Sequence, residues 1–157
     1  MQLYQFLCKE FSASKQEISD FVLSAPKKYK IYTIPKRTSG KRVIAHPAKK
    51  LKEYQRALIG RLEPLLPVHD AAFAYKKNIG IKQNAMQHQK SRYLLKMDFQ
   101  NFFHSITPEL FFSIVEKHAI DLIEEDKYLL EQILFFCPSK RTGGKLILSI
   151  GAPSSPL

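Results

Sequence analysis

The sequence contains no tryptophan and two cysteines, Cys8 and Cys137, in 157 residues. Two thiols cannot build a disulfide framework or a four-ligand zinc site, so neither staples this fold, and a reducing cytoplasm is the expected compartment. No apolar run approaches the roughly 20 residues a helix needs to cross a bilayer. That excludes a helical span and sets the membrane aside as a partner. Residues 1–16 lack both a basic lead-in and a long apolar segment, so they are not read as a secretory signal. Glycine-rich phosphate loops are missing as well, and Gly143-Gly144 reads as a turn. His46, His69, His88, His104 and His118 show neither zinc spacing nor a paired motif with an intervening glutamate. Acids are the scarcer charge, 14 against 25 Lys and Arg, for a net +11. With 45% hydrophobic residues, a chain of this length can bury one core.

The positive charge is concentrated. Lys27, Lys28, Lys30, Lys36, Arg37, Lys41, Arg42, Lys49, Lys50, Lys52 and Arg56 face one acid, Glu53, so this window alone carries +10. Residues 109–131 hold seven acids against Lys117 and Lys127, a balance of −5. Tyr29, Tyr32 and Tyr54 interleave with the basic window. Charge with rings between is the footprint of a phosphate-backbone partner. A solvated basic face is the plainer alternative. A membrane-surface patch has less in its favour, because no lipidation motif accompanies the charge.

Local signals then divide the chain. Ser14 and Glu17 form a capping-box pattern that opens a helix ending before Pro26. Residues 29–34 and, more weakly, 41–45 are strand-like around the turn residues 35–40, which predicts a β-hairpin with a basic tip. Leu51, Tyr54, Leu58, Ile59 and Leu62 recur at helical spacing between Pro47 and Pro64. Residues 71–75 are a short apolar segment, and Asn78-Ile79-Gly80 turns the chain into a helix through His88. Residues 93–99 read as a buried strand carrying one acid. Thr107-Pro108-Glu109 starts a helix running to about His118. Another spans about 125–136, and residues 145–150 read as a strand. The architecture expected is mixed α+β.

Asp98 is the residue that points to chemistry. A carboxylate on an apolar strand is costly to bury unless it is paired, hydrogen-bonded or bound to a cation. Two rings and a run of backbone amides follow it in Asp98-Phe99-Gln100-Asn101-Phe102-Phe103. Two-metal phosphoryl transfer needs a carboxylate shared by both ions, a place for the triphosphate and a shaped pocket for the sugar.

With these residues in view, the sequence resembles the bacterial reverse transcriptases of the retron type from about Tyr29 onward. Tyr29-Lys30-Ile31-Tyr32-Thr33-Ile34-Pro35-Lys36-Arg37 with Gly40-Lys41-Arg42-Val43-Ile44 is similar to the first finger hairpin. Ala71-Ala72-Phe73-Ala74-Tyr75, Gly80-Ile81 and Asn84-Ala85 resemble the second block. Residues 93–103 resemble the motif bearing the first catalytic aspartate, and Gly151-Ala152-Pro153-Ser154-Ser155-Pro156 the block after it. Four matches in the right order are specific where one would be weak.

The resemblance implies fingers and a partial palm of a right-hand polymerase. Residues 1–25 would be an N-terminal helical segment and 26–92 the fingers. Residues 93–117 would be the first palm strand and helix, 118–150 a return into the fingers, and 151–157 the start of the next palm motif, where the chain stops. It also implies roles. Asp98 would bridge two Mg²⁺, with the Phe99 carbonyl as a further ligand. Lys36 and Arg42 would reach the triphosphate, where planar bidentate charge suits phosphate. Gln100, Phe102, Phe103, Gly151 and Ala152 would surround the nucleotide, Phe103 as the ring that excludes a 2′-hydroxyl. Lys27, Lys28, Lys30, Arg37, Lys41, Lys49, Lys50, Lys52 and Arg56 would meet nucleic acid.

The implied activity is RNA-directed DNA synthesis on a structured non-coding RNA. Its product would be a branched RNA–DNA hybrid (msDNA) made from deoxynucleoside triphosphates in anti-phage defence, alongside ATPase and nuclease effector proteins. Two departures stand out. Ile150 occupies the position before the glycine where many reverse transcriptases carry Gln, and no Asp-Asp pair of a Tyr-x-Asp-Asp motif occurs. Asp98 alone cannot complete a two-metal site, so these residues by themselves are expected to be inactive and to be a piece of a longer enzyme. The alternative class is a non-catalytic RNA-binding fingers module, and a third is a generic basic domain.

Overall fold

The chain enters as helix α1, Leu3–Phe11, and reverses at Ser12, whose left-handed backbone (φ 48°) closes the helix C-terminus. Helix α2, Lys15–Ser24, follows at once. Its cap is reciprocal: the Glu17 N–H donates to Ser14 Oγ at 3.2 Å, and the Ser14 N–H donates to Glu17 Oε2 at 2.8 Å. Those backbone and hydroxyl donors hold the Glu17 carboxyl below its ordinary range. The cap is therefore present above that range and lost as acid protonates the carboxylate. Replacing Ser14 with alanine is expected to cost about 1 kcal/mol, read as a lower thermal midpoint.

The computed structural model describes residues 1–36, 40–74, 76 and 78–155. After a 3₁₀ turn at Ala25–Lys27 come strands β1, Tyr29–Pro35, and β2, Lys41–Pro47, paired antiparallel from Tyr29↔Pro47 to Pro35↔Lys41. This is the expected hairpin. Helices α3 (Lys49–Leu62), α4 (Ile81–His88), α5 (Phe102–Ser105), α6 (Pro108–Lys117) and α7 (Glu124–Leu134) complete the α+β arrangement. The expected helices are all found. Pro47 ends β2, however, and α3 starts two residues later, at Lys49.

The core lies where α1, α2, α3 and α7 meet. Leu3 and Leu7, Ile18 and Val22, Leu51 and Leu58, and Leu129 and Ile133 are all fully enclosed, each pair at helical spacing on its own element. Tyr54 stacks between Phe11 and Phe21, with centroids 4.3 and 4.6 Å away. The buried amide of Gln55 ties sheet to helix, its Nε2 donating to the Tyr29 hydroxyl and the Ile133 carbonyl, each at 2.9 Å. Asp126 is also buried. Its Oδ1 accepts the Leu3 N–H at 2.7 Å, and the Met1 amine stands 3.2 Å from Oδ2 as an ion pair without a well-aligned hydrogen bond.

Two expectations are corrected. Residues 93–99 form no strand and are not buried: Tyr93 is 91% exposed, Leu95 81% and Phe99 75%. A strand exists only with a partner to take its N–H and C=O groups. Among the described residues the one named sheet is the β1–β2 hairpin, which offers residues 93–99 no pairing. Residues 145–150 likewise reduce to a single bridge, Phe136↔Ile147. That stretch is held instead by separate contacts, such as the Leu148 N–H to the Ile106 carbonyl at 3.0 Å. No helix among the described residues is long and apolar enough to cross a membrane.

Candidate functional site

Register decides which hairpin side chains share a face. Ile34 pairs with Arg42 and Tyr32 with Ile44, so alternation puts Arg42, Ile44, Tyr32 and Ile34 on one side. Tyr29, Ala45 and Pro47 point to the other side and are buried. The free edge of β2 meets the C-terminal loop, where the Ala45 N–H donates to the Ile150 carbonyl at 3.3 Å. Beside it, Gly151 adopts φ 99°, and a Cβ there would lie 3.4 Å from Ile44 Cγ2. Gly151 suits this position because its backbone is left-handed and lies close against the hairpin. The fold thus brings the Gly151 loop to the strand and face that carry Arg42. Gly151 is exposed, while Ala152 is buried in the core instead of standing open to a pocket.

Asp98 lies on the exposed stretch of residues 93–99, followed by a turn at Gln100. Asn101, at φ 55°, takes the left-handed position that begins α5. The turn gathers three rings: Phe99 to Phe102 at 6.0 Å, and Phe102 to Phe103 edge-on at 5.4 Å. Phe102 is half exposed, whereas Phe103 packs against the core. Of these two rings, Phe103 is the better anchored.

Among the described residues, no three Asp, Glu, His or Cys side chains gather closely enough to hold a metal ion. Asp98 is the sole acid between Asp70 and Glu109 in sequence. One carboxylate does not hold two dications. The described residues therefore do not by themselves fit a two-Mg²⁺ site.

Basic side chains predicted to meet nucleic acid divide into groups. Lys28 and Lys50 converge on the Phe21 ring, at 4.6 and 5.4 Å from its centroid. Lys52 Nζ lies against His46 Nε2. Lys30, Lys36, Lys41, Arg42, Lys49 and Arg56 are exposed, and Lys27 is half-buried. Arg37 lies outside the described residues, as does Tyr75 of the second block. No ion pair joins Lys28, Lys50, Arg42 or Arg56 to a carboxylate among the described residues. Their charge is free for an external anion.

Residues 34–157 match the reverse transcriptase (RNA-dependent DNA polymerase) family. The chain is 48% identical over 128 residues to the retron Ec83 reverse transcriptase of Escherichia coli, a match covering 82% of this chain and 41% of that protein. The retron Ec73 reverse transcriptase of Escherichia coli is 34% identical over 162 residues, covering 100% of this chain and 50% of the relative. The retron Mx162 reverse transcriptase of Myxococcus xanthus is 33% identical over 138 residues, covering 82% and 28%. The chain thus spans half or less of the length of these relatives.

Proposed function

The chain belongs to the reverse transcriptase family, of the retron type, and from that premise we propose that it forms the fingers and first palm segment of an RNA-directed DNA polymerase. The polymerase copies a structured non-coding RNA into a branched RNA–DNA hybrid (msDNA), in anti-phage defence alongside ATPase and nuclease effectors. Residues 26–92 and 118–150 are its fingers, and residues 93–117 and 151–157 are palm. The observation that carries this reading is the joining of two distant pieces: the Gly151 loop lies along the edge of the strand that bears Arg42. A finger hairpin holding a triphosphate beside a small-residue wall requires that junction.

Within this reading each residue has one task. Arg42 and Lys36 bind the triphosphate, since a guanidinium meets phosphate oxygens in pairs and an ammonium adds a point charge. Gly151 lets the nucleotide approach the backbone. Phe103, fixed by its packing, bounds the sugar, and Gln100 and Phe102 complete that wall. Asp98 would give one carboxylate to Mg²⁺, with the Phe99 carbonyl beside it, and a complete site would need further anionic ligands. When bound, Mg²⁺ would supply charge neutralisation at the transferring phosphoryl group.

The test is deoxynucleotide incorporation by the whole protein on an RNA template with Mg²⁺. No product under any primer arrangement, with RNA binding intact, would favour a non-catalytic RNA-binding module. Phe103→Ala is expected to admit ribonucleotides, raising their incorporation relative to deoxynucleotides about tenfold or more. Unchanged sugar discrimination would remove Phe103 from that role.

A further inference from the structure

A cleft of about 450 Å³ opens on a separate set of elements from the hairpin: the α2 end, the N-termini of α6 and α7's middle, and the loop 137–146. Its cationic wall is assembled from distant sequence. The Cys137 N–H donates to the Pro26 carbonyl at 3.0 Å, which draws the loop against the 3₁₀ turn. Lys27 Nζ then donates to Thr142 Oγ1 at 2.8 Å, and Arg141 and Lys145 line the same cleft. None of these three cations forms an ion pair among the described residues.

The loop is locked in shape. Cys137 Sγ lies 3.2 Å from Ser139 Oγ and 3.4 Å from the Arg141 carbonyl. A Cβ on Gly144 would stand 2.6 Å from both Sγ and that hydroxyl, so only glycine fits. Gly143 takes φ 68°. Lys27 and the backbone that carries Arg141 and Lys145 are held in place before any ligand arrives, which reduces the ordering cost of binding.

The same cleft also carries acids. Glu109 and Glu131 line it, with Tyr128 half exposed at the rim. Burial first, and the neighbouring Glu109 second, push the Glu131 carboxyl up, while the Thr107 side chain holds Glu109 down, with Lys145 near enough to help. Two carboxyls disfavour a ligand that is anionic throughout, such as a bare polyphosphate. They suit one that is anionic at one end and carries N–H donors at the other, with a flat ring between for Tyr128.

We propose that this cleft holds one nucleotide of an unpaired RNA strand, its phosphate against Lys27, Arg141 and Lys145 and its base against Tyr128 and Glu131. The proposal rests on the reading of RNA as the partner, and gives that RNA a second anchor away from the triphosphate end of the hairpin.

The experiment measures binding of the whole protein to a fluorescein-labelled 20-nucleotide single-stranded RNA and to a blunt 20-base-pair RNA duplex across a salt series. Combined Lys27→Ala, Arg141→Ala and Lys145→Ala should weaken the single strand about tenfold or more and flatten the slope of log affinity against log salt by about 1 to 2. Tyr128→Ala should weaken it about tenfold with the slope unchanged, since stacking releases no counterions. Duplex binding should move less than about twofold in both, and Lys27→Arg with Lys145→Arg should restore the slope. Unaltered affinity and slope in the triple variant, with the unaltered protein binding RNA normally, would overturn the cleft alone. Failure of the unaltered protein to bind either RNA would instead overturn the RNA reading beneath it. Adenosine monophosphate bound by the unaltered protein and lost in the triple variant, with RNA affinity unchanged, would assign the cleft to free mononucleotides and overturn the proposal.

Discussion

Asp98→Ala in the whole protein is expected to lower deoxynucleotide incorporation by about 10³-fold or more, while RNA affinity changes less than about twofold. The asymmetry follows from where the charge acts. A carboxylate that helps hold Mg²⁺ stabilises charge at the reacting phosphoryl group, a contribution far larger in the transition state than in binding. In the proposed reading RNA is held by cations on other elements, and removing an acid adds no repulsion to phosphate. Asp98 is exposed, with aromatic neighbours and no packing role, so the variant should fold. Asp98→Asn separates charge from shape and should be nearly as inactive. Primer extension with labelled deoxynucleotides, beside filter binding of the same RNA, reads both quantities. Retained synthesis would remove Asp98 from the metal site.

The second large effect concerns stability. Asp126→Ala should destabilise the fold by about 3 kcal/mol or more, because it leaves the Leu3 N–H and the Met1 amine without their shared partner. For a domain of this size that corresponds to a fall of roughly 10 °C in the thermal midpoint. Asp126→Asn should cost less, since an amide oxygen still accepts the Leu3 N–H. Equal losses in the two variants would mean that the charge, not the hydrogen bond, carries the effect. Thermal unfolding followed by circular dichroism separates the cases.

Asp126 also marks a boundary of what sequence can show. Glu124, Glu125 and Asp126 read as acids at a helix start, which complement the helix dipole, and α7 does begin at Glu124. That one of the three is buried and holds the start of α1, 123 residues away, leaves no local trace. The bounds of helix α1 within the helical segment expected over residues 1–25 leave no local signal for a related reason: Gln2 gives it no side-chain cap, and its support comes from packing against α2, α3 and α7. By contrast α2, the hairpin and α6 were legible because their signals are local, respectively a capping box, turn residues between β-branched runs, and Thr107-Pro108.

Residues 93–99 were misplaced because composition reports a preference for strand while pairing depends on a neighbour. The residues proposed for the site were nameable one by one from their motifs. The placement of the Gly151 loop on β2 was not, and neither was the cluster of Lys27 with Arg141 and Lys145. Both depend on backbone hydrogen bonds between segments more than 100 residues apart.

The exposed stretch 93–99 bears on how this polypeptide behaves in a tube. It is seven residues long, aromatic and aliphatic, free of proline and glycine, and interrupted only by Lys96 and Asp98. Such a segment is a template for intermolecular cross-β stacking. Its two charges oppose each other in sign, so they lend the stretch no net repulsion, and Asp98→Ala removes one of the two. Residues 1–157 produced alone should therefore self-associate as concentration rises, and the alanine variant, whose stretch carries the uncompensated charge of Lys96, later than the parent. Light scattering belongs beside every activity measurement on this aspartate, so that a lost polymerase is not confused with a lost monomer.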